Sequence, residues 1–334
     1  MRYKVIVNPL AGRGFGARTT PTIHRLLSEQ GLAFDLTSTT YAGEAVELAR
    51  QAVLDGYDVI VAAGGDGTYH EAINGMIAAY EGNPPQGSVI GTLGVLPLGS
   101  GCDFSYTAGV PSDLEEACVR LSQGEPKMVD LGRVIVDGDE NHPGTRYFDN
   151  TMGIGFDGVV TLEAKKYKRL RGMALYLPVV LKTVFISFKA PRVTIEYEEP
   201  LSPPPEAAAD TDDRTGDPSR VPLRRIEKDV LMAVVCNGQR EGGGFHVAPD
   251  ARNDDGLFDV LLADDLPRLR VLGMLPHIMK GTHQGKRGVT TLRCRRITIT
   301  SPDPLIAHAD GEMLCTDAHR IECEIAAHRV QVIG

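Results

Sequence analysis

The sequence predicts an α/β domain followed by an all-β domain. Three observations carry that expectation. The first 125 or so residues alternate apolar strand-like runs with helical ones, the pattern after Lys127 turns almost wholly strand-like, and glycine-rich turns follow three of the early strands. Short, near-continuous apolar strands between helices signal a parallel sheet covered on both faces, whereas strands with few helices between them signal a separate β domain.

In chain order, "YKVIVNP" reads as a strand, residues 20–30 as a helix and "AFDLTST" as a second strand. Residues 43–55 read as helix, "YDVIVAAGG" as strand, 69–80 as helix, "GTLGVLPLG" as strand and 111–123 as helix. Beyond Lys127 come "KMVDLGRVIV", "TRYFDNTMGIG", "RVTIEYE", "DVLMAVVCNG", "LFDVLLA", "RRITITS" and "HRIECEIAAHRVQVIG", all strand-like. One helix is expected in this half, over residues 163–189, because Leu170, Met173, Leu177, Leu181, Val184 and Phe188 recur at spacings of three and four. The stretch "PLSPPPEAAADTDDRTGDPSR" is nearly free of large apolar groups and predicts a mobile hairpin insertion.

Composition narrows the function. The 334 residues are 42% hydrophobic and 24% charged, enough for a sizeable core and two domains. A net charge of -9 argues against a general nucleic-acid binder, since no global positive field meets a phosphate backbone. Six scattered cysteines without a CxxC pair read as a reduced, intracellular protein. The apolar start of "MRYKVIVNPLAGRG" is too short for a signal peptide, and no window of about 18 apolar residues predicts a membrane span.

The glycine turns point to an anion. In "GGDGT", Gly64, Gly65 and Gly67 permit close backbone approach at the start of a helix, where amide N–H groups and the helix dipole favour negative charge. Asp66 accepts hydrogen bonds only, so it suits a Mg²⁺–water shell or a hydroxyl rather than the phosphate itself. The same pentapeptide also fits a tight turn whose aspartate caps the helix. It is neither a P-loop nor GxGxxG. "NPLAGRG" and "LPLGSGCDF" place two more such turns after strands, and strand ends of a parallel sheet share one edge. Three turns at one edge make a nucleotide cleft.

With these motifs in hand, the chain resembles the diacylglycerol kinase catalytic-domain superfamily, in its soluble bacterial lipid kinase form, with the sphingosine kinases as relatives. The matching segments run in order: "VNPLAGRG", "GGDGTYHEAINGM", "LPLGSGCDF", "NTMGIGFDG", "GGGFHVAPDARNDDGLFDVLL" and "HADGE". The resemblance implies a Rossmann-like, phosphofructokinase-like nucleotide domain over residues 1–127 plus a returning strand at 325–334. A C-terminal β-sandwich would occupy 128–324, with a flexible insertion at 200–220. It implies ATP and Mg²⁺ as cofactors. The ATP site would draw on Asn8, Pro9, Gly12 and Thr39, with Thr40 competing for the threonine role. Gly64, Gly65, Asp66, Gly67, Thr68 and Glu71 would continue it, and Ser100 and Asp103 would close it. His70 and "GSGCD" stand where "GGDGTxNE" and "GTGND" are usual, and both look more like the sphingosine kinases.

Phosphoryl transfer needs a base for the attacking hydroxyl and metal near the phosphates. "HADGE" supplies Asp310 and Glu312, and the resemblance makes Glu312 the base and Asp66 the residue that meets the catalytic Mg²⁺. It also implies a structural Mg²⁺ held by Asp255 and by the carbonyls of Arg252 and Leu257. From the residues alone, "HADGE" fits a solvated β-turn better than a catalytic site, and "ARNDDGLFDV" fits a hairpin turn as well as a metal site. His246, His308 and His319 lack ligand spacing and read as surface or core residues.

An acidic protein acting on a lipid needs a docking face. Lys165, Lys166, Lys168, Arg169 and Arg171 crowd the start of the expected 163–189 helix, against the helix dipole, and would meet an anionic leaflet. The expectation is thus a cytoplasmic, peripherally membrane-associated lipid kinase. It would phosphorylate a lipid hydroxyl, diacylglycerol first, with a homodimer implied by relatives alone. The alternatives are a sphingoid-base or ceramide kinase, an NAD kinase-like soluble kinase, and a non-catalytic nucleotide-binding regulator.

Overall fold

The computed structural model describes residues 1–80, 88–164, 166–167, 173–185, 190–200 and 222–334. Its N-terminal half is a parallel sheet. β1 (Arg2–Val7) lies between β2 (Ala33–Ser38) and β3 (Val59–Gly64), and β4 (Val89–Pro97) follows β3. The period of two along each strand divides its side chains between two layers. Tyr3, Val5 and Val7 of β1 pack under α1 (Ala11–Glu29) and α5 (Leu114–Gln123). Ile6 of β1, with Ile60 and Ala62 of β3, packs against α2 (Glu44–Leu54) and α3 (Asp66–Ala78). Every residue of β3 is buried, as a strand covered on both faces must be.

The β-rich half begins at β5 (Lys127–Val136). It continues through β6 (Arg146–Phe148), β7 (Thr151–Gly155), β8 (Arg192–Glu198), β9 (Leu223–Cys236), β10 (Phe258–Asp264), β11 (Val289–Cys294) and β12 (Arg296–Ala309). β7 and β8 each pair with both β9 and β12, at different stretches of those long strands. The apolar faces close on one core, in which Phe148 and Phe258 stack at 5.6 Å. The last strand, β13 (Glu312–Ile333), runs antiparallel to β12 and then, from Arg329, parallel to β4. One strand therefore belongs to both halves, and a single hydrogen-bonded sheet of 13 strands runs through the molecule.

The structure corrects several expectations. Within 163–189 the structure describes only the end of α6 (Phe156–Ala164), a non-helical Lys166–Tyr167 and α7 (Met173–Phe185), so the expected helix begins in one helix and continues in another. Val160 and Ala164 of α6 pack with Val180 and Val184 of α7 in one cluster, but of the expected stripe only Val184 is seen there: Leu181 is exposed, and Leu170 and Phe188 lie outside the described residues. "TRYFDNTMGIG" is likewise broken, at Asp149–Asn150, into β6 and β7. Among the described residues, α4 (Asp103–Ala108), α8 (Arg268–Met279) and most of α6 went unpredicted. Pro267 and Pro276 hid α8, which holds because Val271 and the half-buried Leu275 pack into the α6–α7 cluster. The predicted insertion lies outside the described residues from 201 onward. No described helix is long and apolar enough to cross a membrane.

Candidate functional site

The turns after β1, β3 and β4 meet at one edge of the parallel sheet. Asn8 ties the first to the second: its amide donates to Thr68 Oγ1 at 3.1 Å, and its oxygen accepts the Leu10 N–H at 3.0 Å. After Asn8 the chain turns through left-handed Gly12, Arg13 and Gly14, with φ of 54°, 60° and 80°. The second and third turns press together backbone to backbone, so that a Cβ on Gly99 would lie 2.6 Å from Gly65 Cα. A Cβ on Gly67 would meet nothing within 4 Å. Gly65 caps α3 with no side-chain hydrogen bond, which leaves the helix start to an outside acceptor.

These turns wall a cleft of about 600 Å³, closed from the opposite side by the β-rich half. It gathers the predicted residues from Asn8 through Asp103, with Glu312 facing them, and both Thr39 and Thr40 line it. Only Gly64 of the predicted set stands back from the lining; its missing side chain makes room for Thr68, whose Oγ1 would lie 2.2 Å from a Cβ. Thr40 already donates to Glu44 at 2.9 Å, whereas Thr39 Oγ1 has no partner among the described residues. Six acidic residues line the cleft and no Lys or Arg does, among the described residues.

Electrostatics divide the acids. Burial, then the Asp103 charge, pushes Asp66 up to about 7; its carboxylate accepts the Phe104 N–H at 3.0 Å and has no cation against it. Asp103 is raised by burial and accepts the Gly243 N–H at 2.7 Å. Asp310 goes the other way. Burial opposes its charge, but hydrogen bonds from His70 and its other neighbours outweigh burial and bring it to about 2. His70 Nδ1 lies 2.8 Å from Asp310 Oδ2, and the backbone N–H groups of Asp149, Asn150 and Thr151 donate at 3.0, 3.1 and 2.9 Å. Burial, then the Asp310 charge, pushes Asp149 beside it well above the usual carboxylate range. Asp310 is thus an anchor, sitting at φ 49° in the β12–β13 turn, and Glu312, exposed two residues on, faces the cleft.

The sequence reading missed Asn150, Thr151 and the 241–243 segment of the cleft wall, although "NTMGIGFDG" and "GGGFH" marked both places. It also passed over the surroundings of His308. His308 is buried, with Nε2 3.0 Å from Asp157 and 3.2 Å from Glu241, and Thr151 Oγ1 donates to Glu241 at 3.1 Å. A Cβ on Gly153 would lie 1.9 Å from Asp157 and 2.6 Å from His308, so that motif glycine makes room for the cluster. His308 is therefore a core residue, as read, but one bound to two acids. His246 packs edge-on against Tyr106, and His319 bonds the Ser301 carbonyl at 3.0 Å.

Two predicted sites stand apart from the cleft. Asp255 is ion-paired with the Arg293 guanidinium and accepts the Leu257 N–H at 3.2 Å, while Arg252 turns to Asp254 at 3.0 Å. A carboxylate already neutralised by a guanidinium does not fit a hard divalent cation, so the donor set there does not support a metal. Of the expected membrane patch, Lys165, Lys168, Arg169 and Arg171 lie outside the described residues, and Lys166 is ion-paired with Glu163. A second cavity of about 400 Å³ opens between α6, α7 and α8, lined by Phe156, Val184, Leu231, Leu266 and Val271 together with Thr183, Asp265 and Arg268.

Residues 2–134 match the diacylglycerol kinase catalytic domain, and residues 150–333 match the YegS C-terminal NAD kinase beta sandwich-like domain. The chain is 30% identical over 298 residues to "Probable lipid kinase YegS-like" of Stenotrophomonas maltophilia (strain K279a), covering 88% of this chain and 85% of that one. It is 25% identical over 313 residues to "Diacylglycerol kinase" of Bacillus subtilis (strain 168), covering 93% and 89%. Among solved structures, a diacylglycerol kinase from Bacillus anthracis str. Sterne superposes with a TM-score of 0.64 at 20% identity, covering 98% of this chain and 96% of that one. That likeness shows the fold.

Proposed function

The chain belongs to the lipid kinase family that joins a diacylglycerol kinase catalytic domain to a YegS-type β-sandwich-like domain, and on that premise we propose that it transfers the γ-phosphoryl group of ATP to a lipid hydroxyl, with diacylglycerol as the first acceptor to test. The observation that carries the reading is the cleft: three glycine turns and an uncapped helix start on one wall, and Glu312 on the other. ATP would lie along Asn8–Gly12, Thr39, Gly65–Glu71 and Ser100. Thr39 is the better threonine because the Thr40 hydroxyl is already committed to Glu44.

A polyphosphate entering a cleft of six acids without Lys or Arg would meet only like charge. Mg²⁺ fits that donor set, and Asp66, buried with no cation against it, is the residue to hold it. When bound, the metal would offset phosphate charge near the reacting group. The chain's own residues do the rest. The first-turn amides of α3 orient the phosphates, and Glu312 takes the proton from the lipid hydroxyl as its oxygen bonds to the γ-phosphorus and the bond to ADP breaks. Asp310, held by His70 and three backbone amides, fixes the turn that carries Glu312. The second cavity, where Phe156, Val184, Leu231, Leu266 and Val271 face Thr183, Asp265 and Arg268, is a candidate space for one end of an acyl chain.

Glu312→Gln should lower turnover by about 10²–10⁴-fold while ATP still binds. Full turnover in that variant would disprove the base assignment. Radiolabelled ATP offered with diacylglycerol, a sphingoid base and a bacterial lipid extract, followed by identification of the labelled product, decides the acceptor. ATP binding with no labelled product from any of them would leave a nucleotide-binding regulator instead.

A further inference from the structure

We propose that the outward face of α8 is a docking surface for an anionic phospholipid bilayer. Residues 266–302 carry eight Lys or Arg and no Asp or Glu, in a chain whose net charge is -9. Among the described residues elsewhere, most Lys and Arg are paired with an acid; Arg25, Arg120, Arg133, Arg224 and Arg225 all sit in ion pairs. Here Arg268, Arg270, Lys280, Lys286 and Arg287 have no acidic partner among the described residues. Of the two acids just before the helix, Asp264 is already paired with Lys228 at 2.6 Å, and Asp265 lines the second cavity beside Arg268 without an ion pair among the described residues.

The helix presents this charge in an interfacial arrangement. Leu269, Gly273, Pro276 and Lys280 are all exposed, and their spacing of four, three and four places them on one face. That stripe is apolar until its last residue. Arg268 and Arg270 flank it on either side, one position before and after Leu269. Leu269 is 82% exposed, a large aliphatic side chain set in water with cations around it. Meanwhile Val271 and Leu275, on the opposite face, hold the helix to α6 and α7. An apolar stripe bordered by cations is the pattern of a helix lying in a membrane interface, with the aliphatic groups among the acyl chains and the cations at the headgroups.

Position supports the same occupant. The loop whose 241–243 segment lines the cleft continues to His246, whose N–H donates to the Ile278 carbonyl of α8 at 3.0 Å. His283, just beyond the helix, lies 3.0 Å from the Val247 carbonyl. The start of α8 also walls the second cavity. A bilayer seated on α8 therefore lies one loop from the cleft. The purpose of the surface rests on the lipid kinase reading, but its test does not.

The test is sedimentation of the full chain with vesicles of phosphatidylcholine, with and without phosphatidylglycerol. Each cation near an anionic leaflet contributes roughly five-fold in partitioning. The triple variant Arg270→Gln, Lys280→Gln, Arg287→Gln should thus bind anionic vesicles on the order of 100-fold more weakly, yet turn over detergent-dispersed lipid as before. Leu269→Ser should weaken binding with the charge intact, and the triple lysine or arginine swap that keeps the charge should restore it. Circular dichroism melting of each variant separates lost docking from lost folding. Wild-type protein that ignores anionic vesicles, or a triple variant that binds like wild type, overturns the proposal. So does a wild-type dimer that Leu269→Ser dissociates, or equal affinity for a DNA oligomer. Vesicle binding without any lipid turnover would leave the docking surface standing and sink the kinase reading.

Discussion

Gly65, Gly67 and Gly99 are the same residue for different reasons. Gly65 and Gly99 let two backbones touch, and a Cβ on Gly99 would be 2.6 Å from its neighbour's Cα. Gly67 has a helical backbone and open space around it, so neither conformation nor packing requires glycine there. What remains is the ligand. Gly67→Ala should leave the melting midpoint unchanged or raise stability by up to about 1 kcal/mol, through helix propensity, while raising KM for ATP. A lowered midpoint with unchanged KM would show the glycine to be structural. His70 makes the same point from the other side. The sequence marked it as a departure from the common asparagine, but only the fold shows that its imidazole reaches Asp310, 240 positions away.

At the scale of elements, the cluster of His308 on β12, Asp157 on α6 and Glu241 beyond β9 joins three segments around the space left by Gly153. Burial would lower His308, but the Asp157 carboxylate, helped by Glu241, pushes it up to about 9. Burial, then Asp157, pushes Glu241 up to about 8. A histidine raised above its unfolded value of about 6.5 contributes stability that is full below that pH and lost as pH rises through 9. A raised carboxylate also loses stability with rising pH, here from about 4.3 to 8, because the folded form keeps a proton the unfolded chain has released. Both run the same way. Chemical unfolding should therefore show stability falling between pH 6.5 and 9, by up to about 3 kcal/mol from His308, and His308→Gln should flatten that decline. A flat wild-type profile over this window would contradict the pairing. The elements around the cluster also show why periodicity misled: α6 and α7 contribute one apolar cluster from two helices, and a stripe in sequence does not mark where the chain turns.

At the scale of the molecule, β13 fastens the β-rich half to β4 of the parallel sheet, and the cleft lies where the halves face each other. The resemblance placed one cation near the phosphates and another at Asp255. In the structure the Asp255 carboxylate is paired with Arg293 instead. Chelation of divalent metal should therefore abolish turnover while leaving the melting midpoint of the nucleotide-free protein unmoved. A midpoint that falls on chelation would show that a metal staples the β-rich half after all.

The sequence by itself determined the three glycine turns and the alternation that builds the parallel sheet, while the cleft residues from Asn8 to Asp103 and Glu312 opposite them came from the family resemblance that its ordered motifs carry. Those are local properties, since a strand period, a turn glycine and a motif are written in neighbouring residues. Only the tertiary structure decided that Asp310 is bound by His70 and three amides while Glu312 is left exposed. The fold also set Arg293 against Asp255 and turned Leu269 outward among unpaired cations. The physical reason is the same in each case. What a carboxylate or an exposed leucine does depends on the charge and burial around it, and those come from residues distant in sequence that only the packed chain brings together.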